Sequence, residues 1–325
     1  LISALAYNPY GVDQPVDSQG NLNVTPAWDT DWKGVILNKN GYKKQHGLSF
    51  SGGSENTTFY LGSNYIKEQG QVKTTYFERF ATRINVDTEV NDYIKSGLNI
   101  SYSTSKQNAP NQSGTSYSNS IQWIYTIPSY YPLFRREGDG TLFNDFGGLP
   151  EFDYGNNNSQ IVNGVRPALS NENGLGAIIN NEILKTRTYA SINGFLKINL
   201  LSELNFKSNI FYERATLDDF RYTHNKFGPA SSVQGRVSQD RNFFTTLNAI
   251  QTLNYSNTFG VHSINADAIF ESYRLEQNLL EAQGTGYLPN VKVLNGSTVP
   301  ESVGGAINEE RILSAISRFS YNFDT

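Results

Sequence analysis

Residues 76–87 read YFERFATRINVD and residues 94–104 read IKSGLNISYST, with an Asn91-Asp92 turn signal between them. Successive side chains of a strand point to opposite faces. Phe80, Ile84 and Val86 therefore share one face of the first segment, and Arg79, Arg83, Asn85 and Asp87 share the other. In the second, Ile94, Leu98, Ile100 and Tyr102 oppose Lys95, Asn99, Ser101 and Ser103. Folding the pair about Asn91 predicts Ile84 opposite Leu98 and Phe80 opposite Tyr102. The apolar faces then coincide, as a register with one apolar side demands.

The same alternation recurs outward along the chain. Ile192, Leu196, Ile198 and Leu200 match Leu204, Phe206, Ile210 and Tyr212 across a turn centred on Ser202. Leu48 and Phe50 in 45–54 lie on even positions, and Phe59, Leu61 and Tyr65 in 57–66 on odd ones. A two-residue turn at Glu55-Asn56 supplies that change of parity. Residues 243–255 and 262–271 need the same change, which a four-residue loop at 257–260 would provide. Residues 309–322 make a ninth strand. Helical periodicity is weak throughout.

Connections fall into two classes. Those near 55, 91, 202 and 258 are tight; those at 106–186, 216–240 and 276–308 are long, and 67–74 is intermediate. The two classes alternate strictly, which a Greek-key sandwich has no reason to produce. An outer-membrane barrel does, with short periplasmic turns, long external loops and strands crossing a thin apolar band. An all-β antiparallel transmembrane barrel is the expected fold class. Nine strands do not close a bacterial single-chain barrel, and open edges in lipid would leave backbone groups unpaired. The expectation is thus an incomplete barrel, a piece of something longer. From pattern alone, a soluble β-rich binding module with one exposed face stays open.

Composition fits this picture. The 325 residues are 38% hydrophobic and 13% aromatic with net charge −4 and no cysteine, which argues against disorder, a disulfide scaffold and a thiolate site. Mean hydropathy is −0.47 and no apolar run is long enough for a transmembrane helix, but a barrel with a polar lumen also averages as hydrophilic. The acidic balance gives no nucleic-acid footprint. Residues 1–20 carry no signal-peptide pattern.

Asp29-Thr30-Asp31-Trp32, SFSGGSENTTFYLGSNYIKEQGQV (49–72) and FERFATRINVDTEVNDYIKSGLNISYS (77–103) resemble the SusC/RagA family of TonB-dependent outer-membrane transporters of Bacteroidota. RTYASINGFLKINLLSELNFKS (187–208) and RILSAISRFSYNF (311–323) are similar to later strands of that family. The resemblance implies a 22-stranded barrel closed by an N-terminal plug, with neither plug nor TonB box in this sequence. It implies TonB-derived energy, a SusD-like surface lipoprotein as a hinged lid, and oligosaccharide or oligopeptide cargo. On this view residues 1–44 are an external segment and 45–325 the partial barrel, in the outer membrane of a Gram-negative bacterium. A non-transporting surface or structural partner barrel is the alternative role.

No enzyme is expected. His46, His224 and His262 are dispersed, and no nucleophile elbow or P-loop occurs. Gly174-Leu175-Gly176 reads as loop punctuation, and Glu309-Glu310 and Asp218-Asp219 as solvated loop or rim charges. Glu137-Gly138-Asp139-Gly140 interleaves acids with glycine as calcium loops do, but later oxygen ligands are missing and Asp-Gly is common turn chemistry. No cofactor or metal is expected. The binding candidate is loop 107–186, where Trp123, Tyr125, Tyr130, Tyr131, Phe134, Arg135 and Arg136 cluster ahead of Phe143, Phe146, Phe152 and Tyr154. Such rings suit cargo or lid contacts; a self-packed loop core is the competing reading. Arg79, Arg83, Asp87, Lys95, Asn99, Lys197 and Lys207 are expected to face the lumen or plug. Phe80, Ile84, Val86, Leu98, Ile100 and Tyr102 are expected to face lipid.

Overall fold

A computed structural model shows one antiparallel sheet of nine strands, each hydrogen-bonded to its neighbour in sequence. The structure describes residues 8, 10, 14–22, 24, 29–110, 119–137, 139–144, 148–156, 165–167, 169–289 and 291–323. The strands are β1 (Tyr42–Gly53), β2 (Thr57–Gln69), β3 (Tyr76–Asn91), β4 (Ile94–Asn108), β5 (Glu182–Asn199), β6 (Leu204–Thr223), β7 (Arg236–Phe259), β8 (His262–Thr285) and β9 (Val299–Phe323). Helices α1 (Trp32–Ile36), α2 (Ser120–Thr126) and α3 (Gly174–Asn180) lie outside the sheet. Connections of three, two, four and two residues alternate with ones of 6, 73, 12 and 13.

The strands run further than alternation predicts, mostly away from the tight turns, though β3 and β7 also extend toward them. The connections expected at 106–186, 216–240 and 276–308 shrink to 109–181, 224–235 and 286–298. Asp218-Asp219 and Glu309-Glu310 accordingly sit in strands. The reason is physical. Alternation is visible only where one face is apolar, whereas the hydrogen-bonded ladder continues into segments polar on both faces.

Two turns differ in register. Ile84 pairs with Ile100 and Phe80 with Thr104, not with Leu98 and Tyr102. The slip is two residues, so every side chain keeps its face. The β7–β8 turn is Gly260-Val261, not a four-residue loop, since Phe259 still pairs with His262. Gly260 takes φ +63°, the conformation a tight hairpin turn needs at its first central position. The turns at Glu55-Asn56 and Ser202 hold the predicted register, with Gly53 opposite Thr58 and Asn199 opposite Asn205.

The register also sets the tilt. The paired row starting at Gly53, the end of β1, passes through Thr58, Asp87, Gly97, Phe195, Asn209 and Ile250. It meets β8 at Glu271, nine residues from that strand's tight-turn end at His262. Nine residues of climb over seven inter-strand gaps, at about 3.3 Å and 4.8 Å each, gives a tilt of about 41°. Membrane barrels have this inclination.

One face of the sheet is apolar. Phe80, Ile84, Leu98, Tyr102, Ile192, Ile210, Leu247, Phe270 and Phe319 all lie on it and are exposed; Val86 and Ile100 share it, half-buried. The other face carries Arg79, Arg83, Asp87, Lys95, Asn99, Lys197 and Lys207. The sheet is a single layer, so the chain exposes 19429 Å². A compact soluble monomer of this mass exposes about 13,400 Å², and contiguous apolar patches on such proteins rarely pass a few hundred Å². No helix among the described residues is long and apolar enough to cross a membrane.

Beyond the apolar band the same face becomes charged. Lys67 meets Glu78 at 2.7 Å and Arg241 meets Asp218 at 2.8 Å. On β8 and β9, Arg274 meets Glu276 at 3.0 Å and also Glu309, which holds Arg311 at 2.7 Å. The row through Lys67 and Glu78 reaches β8 at Leu280, yet the charges of β8 lie four to six residues nearer the tight turn. The charges keep one paired row from β2 to β7 and drop below it only on β8 and β9.

Candidate functional site

The larger buried core lies outside the sheet, at the end where the long connections gather. Trp32 and Ile36 of α1, Val72, Trp123 of α2, Ile127, Tyr131 and Ile178 of α3 form it. Asp31, Asn119 and Asn173 cap the three helices, their side chains accepting from backbone N–H groups of the first turn. Gly174 and Gly176 belong to α3 and are not loop punctuation. A Cβ at Gly174 would lie 2.6 Å from the Trp123 ring, and one at Gly176 2.7 Å from the Tyr154 hydroxyl. Glycine here is what close packing requires.

Arg166 holds this cap from within. Its guanidinium donates to the carbonyls of Leu169 (2.6 Å), Tyr154 (3.3 Å) and Glu172, and lies 5.1 Å from Trp123 and 5.3 Å from Tyr131 ring centroids. Asn173 donates to Leu133 O and Asp153 O. Burial pushes the Asp153 carboxyl up to about 6 and that of Glu172 up to about 7, with Arg166 pulling both back. Sequence inspection missed Arg166, because its partners become neighbours only after folding.

The long connections are tied to one another. Thr74 donates to Ile178 O, Asn108 to Thr74 O, Asn171 to Ser231 Oγ at 2.7 Å, and Asn225 to Tyr287 O. Tyr154, Phe227 and His224 stack in sequence, with centroids 3.7 and 5.6 Å apart. Burial, then Lys226 and Lys292, press the His224 imidazole down to about 4.

The aromatic candidates divide. Trp123 (1% exposed) and Tyr131 (7%) are core residues and present no surface to a ligand. Tyr130 packs edge-on against Tyr131, and Phe134 stacks on Phe152. Arg135 pairs with Glu151 and covers the Phe143 ring at 3.7 Å, while Arg136 donates to Gly140 O. Tyr125, 83% exposed, stands free of this packing. Asp139 accepts from both the backbone and hydroxyl of Thr141, making a turn. Gly138 and Phe146 lie outside the described residues.

On the polar face of the sheet, Lys95, Lys197 and Lys207 stand directly opposite one another near the tight turns. Lys95 pairs with Glu89 at 2.5 Å and Lys207 approaches the Phe195 ring at 5.4 Å. Arg83 donates to Asn85. Far up the same face, below the cap, is a recess of about 290 Å³. Its wall is the paired row Ile183, Arg221, Ser238 and Gln283, with Thr223 and Arg236 above. Pro110, Ala177, Asn181 and Pro229 also line it. Arg236 forms a two-point pair with Glu301, at 2.7 and 2.6 Å, to which Gln283 also donates. Arg221 is exposed and makes no hydrogen bond or ion pair among the described residues. The alternation of β6 marks Arg221 as a polar-face residue, but nothing local marks it as unpaired.

No family model matches the chain. It is 23% identical over 303 residues to TonB-dependent receptor P3 of Formosa agariphila, covering 91% of this chain and 28% of that one. A second receptor of that organism, P26, is 33% identical over 104 residues, 32% of this chain and 10% of the relative. Among solved structures, the RagAB peptide transporter superposes with a TM-score of 0.69 at 21% identity, over 99% of this chain and 35% of that one. The RagAB peptide importer in its open-open state gives 0.66 at 21%, over 96% and 32%. The chain spans 28% to 35% of the length of the three matches that cover nearly all of it.

Proposed function

We infer that this chain, a SusC/RagA-like part of a TonB-dependent receptor barrel, serves an outer-membrane importer for cargo too large to diffuse through porins. The observation that carries this is the apolar face of the tilted sheet, closed off by tight turns on one side and a belt of paired charges on the other. Lipid would cover that band, periplasm would meet the tight turns, and the outside would meet the cap. The opposite face, with Arg79, Arg83, Asp87, Lys95, Asn99, Lys197 and Lys207, would then line the lumen or meet a plug. Residues 1–44 and the connections 109–181, 224–235 and 286–298 would be external.

In this reading energy reaches the barrel through TonB, and a SusD-like lipoprotein closes over the capped end. The cargo is an oligosaccharide or oligopeptide; RagAB being a peptide importer supports the second without choosing it. Tyr125 is the aromatic best placed to meet lid or cargo. The test is uptake of labelled oligomers by cells carrying the full-length receptor, with and without TonB. TonB-dependent accumulation is the expected result. Binding without accumulation under either condition would favour a non-transporting surface partner.

A further inference from the structure

We propose that the recess below the cap is a subsite for a carboxylate-bearing unit of the cargo, with Arg221 as its anchor. This rests on the importer reading, in which the polar face is the lumen wall. Among the described residues lining the recess are two arginines and no carboxylate. Glu301 neutralises Arg236 by a two-point pair, so that guanidinium is satisfied. Arg221 is left with its donors unspent, and Ser238 and Thr223 add hydroxyls beside it. A planar guanidinium with free N–H groups matches a carboxylate in charge and in two-point geometry. At about 290 Å³ the space suits a single monomer unit, since pockets for whole drug-sized ligands run from about 300 to 1,000 Å³.

The surroundings sharpen the assignment. Two residues nearer the tight turns on the same face, Lys185, Asp219, Asp240 and Glu281 stand in one paired row, three acids to one base. Arg187 meets Asp219 at 2.5 Å. An anion entering from the cap side therefore meets a free cation first and net negative charge beyond it. The acid group stops at Arg221. Two chemical sources offer such a group, a uronic-acid sugar and an acidic peptide residue, and the recess recognises what they share.

The experiment titrates the purified full-length receptor with four probes: an oligogalacturonide, its methyl ester, a glutamate-containing oligopeptide and its glutamine counterpart. Whichever acid is the cargo type should bind about 10- to 100-fold more tightly than its neutral partner, the span of a charged hydrogen-bonded contact. Arg221→Gln should abolish that preference, Arg221→Lys should keep part of it, and heat-modifiable gel migration should show both variants folded. Equal binding of acid and neutral forms, a preference surviving in R221Q, or no binding of either acid each overturns the subsite. TonB-dependent uptake of a neutral oligomer in any of those cases leaves the importer reading standing. A lipid-exposed label at position 221 would instead remove the lumen-wall reading itself.

Discussion

Glu172 and Asp153 are carboxyls taken out of water beside Arg166, and burial is the larger influence on both. Their raised pKa values mean that the folded cap holds protons the unfolded chain would release. The associated stability is fully present below the ordinary carboxyl range of about 4 and is lost as pH rises through about 6 and 7. Hydrogen exchange in α2 and α3 should therefore be slower at pH 5 than at pH 8, and Glu172→Gln should flatten that difference. An exchange rate independent of pH after correction for intrinsic chemistry would refute the coupling. Trp123→Ala should loosen the same helices, with a local cost of about 3–5 kcal/mol for an aromatic truncated in a packed core. Limited proteolysis within 119–181 would report it. At this scale the sequence is least legible. Trp123 and Tyr131 are aromatic like Tyr125, and only packing separates core from surface.

At the scale of strands and turns, far more could be read in advance. All nine strands and their faces follow from alternation, because lipid or water on one side imposes a period that the ladder preserves. The β3–β4 register is open to a sharp test, since the native chain has no cysteine. Cysteines at 84 and 100 should form a disulfide readily, being directly paired, whereas cysteines at 84 and 98 should not. The opposite outcome restores the register centred on Asn91. Ile84→Arg places a charge on the apolar face midway along the band. It should destabilise the membrane-folded receptor by about 2–4 kcal/mol, measured by denaturant titration in lipid. Polarity-sensitive labels at 80, 84, 98, 100 and 102 should report an apolar setting and those at 79, 83 and 99 a polar one. Strand ends escaped sequence reading because β6 to β9 leave the apolar band while still paired, and there polar residues occupy both faces.

For the whole molecule, the paired charges of Lys67, Glu78, Asp218, Arg241, Arg274 and Glu309 bound the apolar face on the side of the long connections. Exposed ion pairs of this kind contribute little stability, so their place is positional. Spin labels beside Arg241 and Arg274 should be quenched by headgroup-level probes, and labels near Leu253 by probes deep in the acyl chains. Equal depth for all three would contradict a charged boundary above the apolar band. The tilt has one more consequence. With about 3.3 Å per residue inclined at about 41°, the 12 residues of β1 rise about 30 Å and the 25 of β9 about 62 Å. A bilayer's apolar band is about 25 Å tall at such a barrel. The rim therefore slopes, with a low sill at β1 and β2 and a parapet at β8 and β9. The Trp32–Trp123 core is built from α1, from Val72 beyond β2 and from the connection after β4, so the helices fill in above the sill. Anything large approaching along the membrane surface meets a wall on the β9 side and a packed threshold on the other.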